Sequence, residues 1–558
     1  MTSRTGALFL VLLLSSPTLA RADPTQLAGW PNKMAAGITG KYLLAPFEGV
    51  ALVDLVEKGN KTLEIVGSSS DRVFAWDMAG KALPGWPATV NGTAQAPPSV
   101  GDIDGDGDLE VVQVARLLKY SDPSYVHAFH HDGKAVKGWP VKLSNLSFFA
   151  VTLADLDGNG ALDVIVQVGK HPPAGSVLVL SGDGKLLGAG WNHLPMDGYP
   201  GGPAAAGDLD GDGKLDVVYH TATKLTVRRS DGSLLAPYPL SAPAGKRFRG
   251  GVLLTDLDGA KGKEIVCGQT GTGSGSVGAS LLAYTAAGKA VSGFPATLAT
   301  SALGLSVPTA GDIDGDGKLE LVVNVRGKGL VIVGANGKVQ GKAITTKADS
   351  QASVQLVDLD GDGKLELLAD NNSTDKPGLG YLEAYEADGT VVPGFPLRPK
   401  GTTMNSSPSV ADLDGDGRLE LAVVTTTLGT SPESFANLWT LPKGKAAKGQ
   451  WPTFGFDVRR SGCPGCAAAT SKPWKADGAV LDQGADADTP DSGGVDGAAA
   501  DGSRADAGAR DGSGERAAPP CDDCNGCTCD LPATSGADAA LPLLLLLGVA
   551  LRRRSRTP

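Results

Sequence analysis

One short segment returns along this chain at spacings of 46 to 56 residues, and no other feature limits the possible folds so tightly. Its fullest form is Asp102-Ile103-Asp104-Gly105-Asp106-Gly107-Asp108-Leu109-Glu110, and related segments begin at Asp155, Asp208, Asp312, Asp358 and Asp412. A seventh copy, Asp256 to Glu264, keeps the frame without the fifth-position carboxylate, and an eighth, Asp54 to Glu64, keeps little more than its ends. One four-stranded propeller blade with its loops takes roughly 40–50 residues. The chain is therefore expected to be all-β, a β-propeller of seven or eight four-stranded blades. Eight units favour eight blades over seven plus a partial unit, and strands from both termini could close the ring.

The surroundings of each copy support the same unit. The ninth position runs into an aliphatic strand, as in Glu110-Val111-Val112, Asp163-Val164-Ile165-Val166 and Glu320-Leu321-Val322-Val323. A second strand follows and ends in a turn signal, as in Tyr125 to Phe129 before Asp132-Gly133-Lys134, and Ser176 to Leu180 before Asp183-Gly184-Lys185. Beyond the hairpin stands an aromatic-proline step: Trp86-Pro87, Trp139-Pro140, Phe294-Pro295, Phe395-Pro396 and Trp451-Pro452. Proline ends pairing there, and a ring at the same place in each unit suits packing between blades better than a ligand cage. With 78 glycines and few aromatics, long helices are not expected.

Glycines let the loop curl so that carboxylates at positions one, three and five converge, while the seventh carbonyl and ninth carboxylate complete an oxygen cage. The predicted ligand positions are Asp102, Asp104, Asp106, Asp108 and Glu110; Asp155, Asp157, Asn159, Ala161 and Asp163; and Asp208, Asp210, Asp212, Lys214 and Asp216. They continue with Asp312, Asp314, Asp316, Lys318 and Glu320; Asp358, Asp360, Asp362, Lys364 and Glu366; and Asp412, Asp414, Asp416, Arg418 and Glu420. An anionic, flexible, all-oxygen set suits Ca²⁺; Mg²⁺ wants a smaller octahedral shell, and His and Cys are absent from these positions. About six calcium ions are expected, with the Asp256 copy left open and the Asp54 copy expected to bind none. An EF-hand is excluded because its last acid stands at position twelve and a helix follows it. Solvated Asp-Gly turns would explain one copy, but six would repeatedly gather like charges without a counter-charge. Six dications would carry the formal charge from −11 to about +1, so the acidity reads as metal ligation. No basic patch argues for nucleic acid.

The pattern resembles the FG-GAP and VCBS-type repeats of the integrin-α N-terminal propeller superfamily over roughly Trp30 to Gly462. The lead-ins Ala96-Pro97-Pro98-Ser99-Val100-Gly101, Val307-Pro308-Thr309-Ala310-Gly311 and Ser407-Pro408-Ser409-Val410-Ala411 carry the resemblance together with the loops. It implies calcium-stabilised blades and a ligand-binding or adhesive use. The stretch Trp451 to Asp457 is similar to an end-piece of bacterial members.

Residues 1–22 read as a signal peptide, with an apolar stretch Ala7 to Leu14 and a small-residue site Ala20-Arg21-Ala22. The propeller is placed at 23–462, and an Ala/Asp/Gly/Ser-rich stalk at 463–520 is expected to be disordered. Residues 521–558 combine a cysteine cluster, the apolar run Leu541 to Leu551 and terminal arginines. They resemble a MYXO-CTERM-type sorting signal, processed near Gly526-Cys527, which implies an exported protein attached to the outer surface through its C-terminus or secreted. A permanent membrane helix is the alternative, although the run is short of the roughly 20 residues that span a bilayer. Cys267 reads as a buried free thiol, and Cys463 and Cys466 as a local disulfide; zinc bound by the cysteine clusters is the weaker reading.

Function is expected to be binding or adhesion, with a surface protein or glycan as ligand, and not catalysis. The rival is a secreted calcium-dependent polysaccharide lyase or another propeller enzyme, such as a quinone-dependent redox propeller. The six histidines fall between His127 and His220, so a site in the channel is conceivable. Yet no nucleophile elbow or zinc-protease motif occurs, and His127, His130 and His131 read as a solvated face of a hairpin.

Overall fold

Each unit of the repeat forms a radial sheet whose two faces are both covered, which is why its strands read as unbroken aliphatic runs instead of alternating ones. The computed structural model describes residues 23–463 with short gaps, the longest being 36–48. The signal peptide at 1–22, the stalk beyond Cys463 and the sorting segment at 521–558 lie outside the described residues.

Eight sheets follow one another along the chain, giving an eight-bladed propeller. Blade 1 pairs Val50–Val53, Glu64–Ser69, Arg72–Trp76 and Ala88–Thr89. Blade 2 is built on Ser99–Gly101, Glu110–Arg116, Ser124–Phe129 and Val141–Leu143, with Thr93–Ala94 added at the start. Blades 3, 4, 5 and 6 begin with Thr152–Ala154, Ala205–Gly207, Lys246–Thr255 and Thr309–Gly311, and each is four-stranded. Blade 7 has three strands, Gln355–Val357, Glu366–Asn371 and Tyr381–Tyr385, with a Leu382–Leu397 bridge beside the third. Blade 8 joins Ser409–Ala411, Leu419–Thr426 and Ser434–Leu441 to the N-terminal strands Thr25–Gln26 and Asn32–Ala35. Thr25 pairs with Thr440 and Asn32 with Ala436, so both chain ends close the ring.

The first strands touch one another from blade 1 through blade 5, from blade 6 to blade 7 and from blade 8 to blade 1, which places them around the axis. The apolar core lies between blades. Val112, Val126 and Trp139 of blade 2 pack with Leu153, Val164 and Leu178 of blade 3, and Ala51, Val66 and Trp86 of blade 1 pack with Val100, Val111 and Phe129 of blade 2. The only helical turn among the described residues is Ala189–Trp191.

Aromatic donors, all but Trp191 in aromatic-proline steps, clamp five of the blades to the next. The Trp86 indole donates to the His131 carbonyl at 2.8 Å, Trp139 to Gly182 at 2.7 Å, Trp30 to Met78 at 2.8 Å and Trp191 to Ser230 at 2.7 Å. The Tyr238 hydroxyl does the same to Thr285 at 2.8 Å. In every case the acceptor sits in the turn of the following blade. Gly85, just before Trp86, must be glycine: its φ is +84°, and a Cβ there would lie 1.8 Å from the Asp132 carbonyl oxygen.

Candidate metal centres

The ninth-position acid organises every loop, because it accepts the amide N–H of the second position. Glu110 holds Ile103 at 2.9 Å, Asp163 holds Leu156 at 3.0 Å, Asp216 holds Leu209 at 3.2 Å and Glu320 holds Ile313 at 3.1 Å. Glu366 holds Leu359 at 2.6 Å, Glu420 holds Leu413 at 3.0 Å and, in the copy with a gap at position five, Glu264 holds Leu257 at 2.8 Å. Even the degenerate blade 1 loop keeps the bond, Leu55 to Glu64 at 2.7 Å. The second-position side chains, Ile103, Leu209, Ile313 and Leu413 among them, are buried, so one residue pins the loop to the core and presents an amide to the acid.

The first-position aspartate curls the loop. Its Oδ1 accepts the fourth-position amide in seven copies, as with Gly105 to Asp102 at 2.7 Å and Gly315 to Asp312 at 2.9 Å. Its Oδ2 takes the sixth-position amide in five, as with Gly160 to Asp155 at 3.0 Å and Gly417 to Asp412 at 2.9 Å. The seventh-position amide turns back to the fifth side chain: Asp108 to Asp106, Lys214 to Asp212, Lys318 to Asp316, Lys364 to Asp362 and Arg418 to Asp416 at 2.8 Å, and Ala161 to Asn159 at 2.7 Å. Of the third-position carboxylates, Asp104, Asp157, Asp210, Asp314 and Asp414 are exposed and Asp360 is half-buried. The sequence-predicted residues are thus brought together blade by blade.

Ligand atoms of Asp102, Asp104 and Asp106 lie within 4.8 Å of one another, as do those of Asp155, Asp157 and Asp163, and of Asp208, Asp210 and Asp216. The Asp256 copy, left open by its sequence, brings Asp256, Asp258 and Glu264 equally close. The donors fit a hard dication. Glu366 Oε1 adds independent support: it is buried and has no hydrogen-bond partner, so a cation at the loop would satisfy it. Burial pushes Glu110 and Glu366 up to about 8, and Glu420, Asp163 and Asp216 up to about 7. A bound dication acts against that penalty by favouring the charged form.

The histidines correct one expectation. His127 is not on a solvated face: it is 3% exposed, stacked on Phe129, and accepts the Asn91 N–H through Nε2 at 2.9 Å. Burial pulls it down to about 4. A blade face is an interface with its neighbour, so alternation along this strand does not lead to water. His130 is half-buried at the loop instead, with Nδ1 3.2 Å from Glu110 Oε1, and His131 lies 3.7 Å from Asp108. His220 is fully buried between the Thr221 and Gly250 carbonyls, at 2.9 and 2.7 Å. Cys267 is buried and free, as expected, and burial pushes it up to about 12; Cys463 is disulfide-bonded.

The end-piece occupies the axis, which nothing in its composition announces. Pro452 accepts the Val410 amide of blade 8 at 3.0 Å; Arg459, Ser461 and Gly462 accept the Leu153, Ala206 and Leu254 amides of blades 3, 4 and 5, each at 3.0 Å. Arg460, fully buried, donates to the Val50 carbonyl of blade 1 at 3.1 Å and to Pro98 of blade 2 at 3.0 Å. Six blades are bound by one short segment.

An FG-GAP-like repeat is recognised at residues 312–369, which are blade 6 with its loop and the opening of blade 7. No curated protein matches the chain. Among solved structures it is similar to the BP39L lectin from Burkholderia pseudomallei, at 15% identity and TM-score 0.40 over 72% of this chain and 99% of that one. The PilY1 C-terminal domain of Pseudomonas aeruginosa aligns at 13% identity and TM-score 0.34, covering 68% and 92%. The periplasmic gluconolactonase PpgL of the same species aligns at 15% and 0.34, covering 63% and 96%.

Proposed function

We propose that this protein is a calcium-stabilised propeller of the FG-GAP and VCBS repeat type, exported to the cell surface as a binding or adhesion module. The observation that carries the reading is the convergence of three carboxylates in blade after blade, an arrangement that repels itself unless a cation sits among them. Calcium at about six loops, with the Asp256 loop as a further candidate, stiffens the face of the ring where the first and second strands connect. The ligand, a surface protein or glycan, is held by loops at the rim, since Arg460 and its neighbours lie along the axis. Residues 1–22 direct export, and the processed C-terminal segment attaches the protein to the outer membrane or releases it. A polysaccharide lyase would need an acid and a base at a reachable cleft; the buried His127 and His220 both have partners already.

The test is thermal unfolding of the protein with calcium and with excess chelator, alongside bound calcium per chain and binding to arrayed glycans in both conditions. A large fall in melting temperature on chelation, with about six ions bound and glycan capture lost together with them, supports the reading. No bound calcium and no shift defeats it.

A further inference from the structure

Resting on the binding-module reading above, we infer that the face opposite the calcium loops, along the arc from blade 5 to blade 8, takes an acidic polysaccharide. Each first strand runs into its loop and each second strand runs away from it, so the turns between second and third strands, and the connections to the next blade, gather at the other face. On this arc they carry cations. Lys246, Arg247 and Arg249 open the first strand of blade 5, at the end farthest from Asp256. Arg326 and Lys328 stand at the turn between Glu320–Val325 and Gly329–Gly334 of blade 6. Lys347 follows the outer strand Val339–Ile344, and Arg398 and Lys400 lie between blades 7 and 8. Lys33 belongs to an outer strand of blade 8 and pairs with Phe435. The formal charge of −11 does not announce this arc, because the carboxylates of the repeat are collected at the loop face.

Contacts from blade to blade make the arc continuous. The Lys328 ammonium donates to the Leu298 carbonyl of blade 5, Lys347 Nζ stands 4.1 Å from the centre of the Tyr381 ring of blade 7, and Lys400 Nζ 4.3 Å from that of Phe435 in blade 8. The Arg398 guanidinium lies over Tyr381 as well, at 4.1 Å. Cation–ring contacts hold these long side chains in place and leave their charge intact. The carboxylates described here leave an excess of positive charge. Glu433 is shared by Lys33 and Lys400, at 2.5 and 3.2 Å, Asp375 is held by Arg398, and Asp370 and Glu383 are buried. In blade 5, burial first and then the like charge of Arg247 pull Arg249 below the ordinary guanidinium value, and Lys246 is exposed. Blades 1 to 4 mix signs on this face: Arg72 stands 3.9 Å from Asp71, and Asp197 accepts the Thr221 and Thr223 hydroxyls. Cations fixed at successive blades match a polymer with repeated carboxylate or sulfate groups. Nucleic acid is the other polyanion, but its bases need open aromatic faces, and Tyr381 and Phe435 already carry cations.

The experiment is binding of the full chain in calcium to immobilised polygalacturonate, chondroitin sulfate, neutral dextran and single-stranded DNA, at low and at physiological salt. It compares wild type with the double variant Lys246→Glu and Arg249→Glu, and with Lys347→Glu, Lys347→Arg and Lys338→Glu. Lys338 lies in a turn on the loop face, so reversing it makes the same kind of charge change away from the arc. Melting in calcium checks that each variant is folded. The wild type holds an acidic glycan but not dextran, about tenfold more weakly at the higher salt. The double variant and Lys347→Glu each weaken that binding about tenfold, while Lys347→Arg and Lys338→Glu leave it within about twofold. The inference is overturned if neither acidic glycan is held, if the arc variants bind as wild type does, if Lys338→Glu weakens binding as much as they do, or if DNA is held as tightly as the glycan. Capture of dextran alone overturns it and leaves the binding-module reading standing. A chain that binds no calcium fails the ion count of the earlier test and is seen there, since no residue of the arc is a calcium ligand.

Discussion

The loops at one face and the segment along the axis stabilise the same ring in opposite ways. Each loop bonds mainly within its own blade, and the motif is restated eight times with the ninth acid always on the second amide. The axial segment occurs once and bonds to six blades. A repeated device spreads stability in small parts and tolerates a worn copy, as blade 1 shows by keeping Glu64 on Leu55 with Val56 and Lys58 in place of the third and fifth acids. A single-copy device concentrates it. Damage to one should be local and damage to the other global.

The sharpest way to break this contrast is Arg460→Ala, which leaves the Val50 and Pro98 carbonyls without their buried cation. Chemical denaturation should show a loss of about 3–5 kcal/mol with or without calcium. A loss under about 1 kcal/mol would make the axial segment mere filling. Asp314→Ala comes next: it should cost about 2.7 kcal/mol when calcium stands a hundredfold above the loop's Kd, and nothing in chelator. Equal melting in both conditions would remove calcium from blade 6. Glu64→Ala should cost about 2 kcal/mol by stranding the buried Leu55 amide, and equally in both conditions; a calcium-dependent cost would show that blade 1 binds metal after all.

Acidity separates the two regions more gently. Burial raises Glu64, Asp163, Asp216 and Glu420 to about 7, and Glu110 and Glu366 to about 8. Their unfolded values lie near 4. In chelator they therefore contribute stability that is complete below about pH 4 and is lost as pH rises through about 8. Calcium, which favours the ionised form, should flatten this decline in a series of melts, whereas Arg460, pulled down by burial only to about 10, should add no slope below pH 8. The smallest effect is Trp139→Phe, which removes one bond to the next blade and should cost about 1 kcal/mol in either condition.

The ring, its eight units and the convergent carboxylates were legible because each needs particular side chains at a fixed place, and repetition makes such demands visible. The clamps at Trp86 and Trp139 were legible for the same reason. Trp191 escaped because no aromatic-proline step marks it, Asn192 following it; Tyr238-Pro239 is such a step at the usual distance after the turn and was legible but passed over. The role of residues 452–462 was hidden because most of its bonds are backbone carbonyl to backbone amide, which almost any sequence can make. His127 misled because both faces of a blade are interior.

Closure of blade 8 has a consequence in time. Gln26 meets Asn437 across 411 residues of chain, so the N-terminal strands must wait for their partner until the final blade exists. At roughly 5–20 residues per second, that wait lasts on the order of half a minute, during which the unfinished ring presents open edges at both ends. Whatever keeps the emerging chain from premature pairing has to act throughout that interval, and its work is over once the last strand arrives.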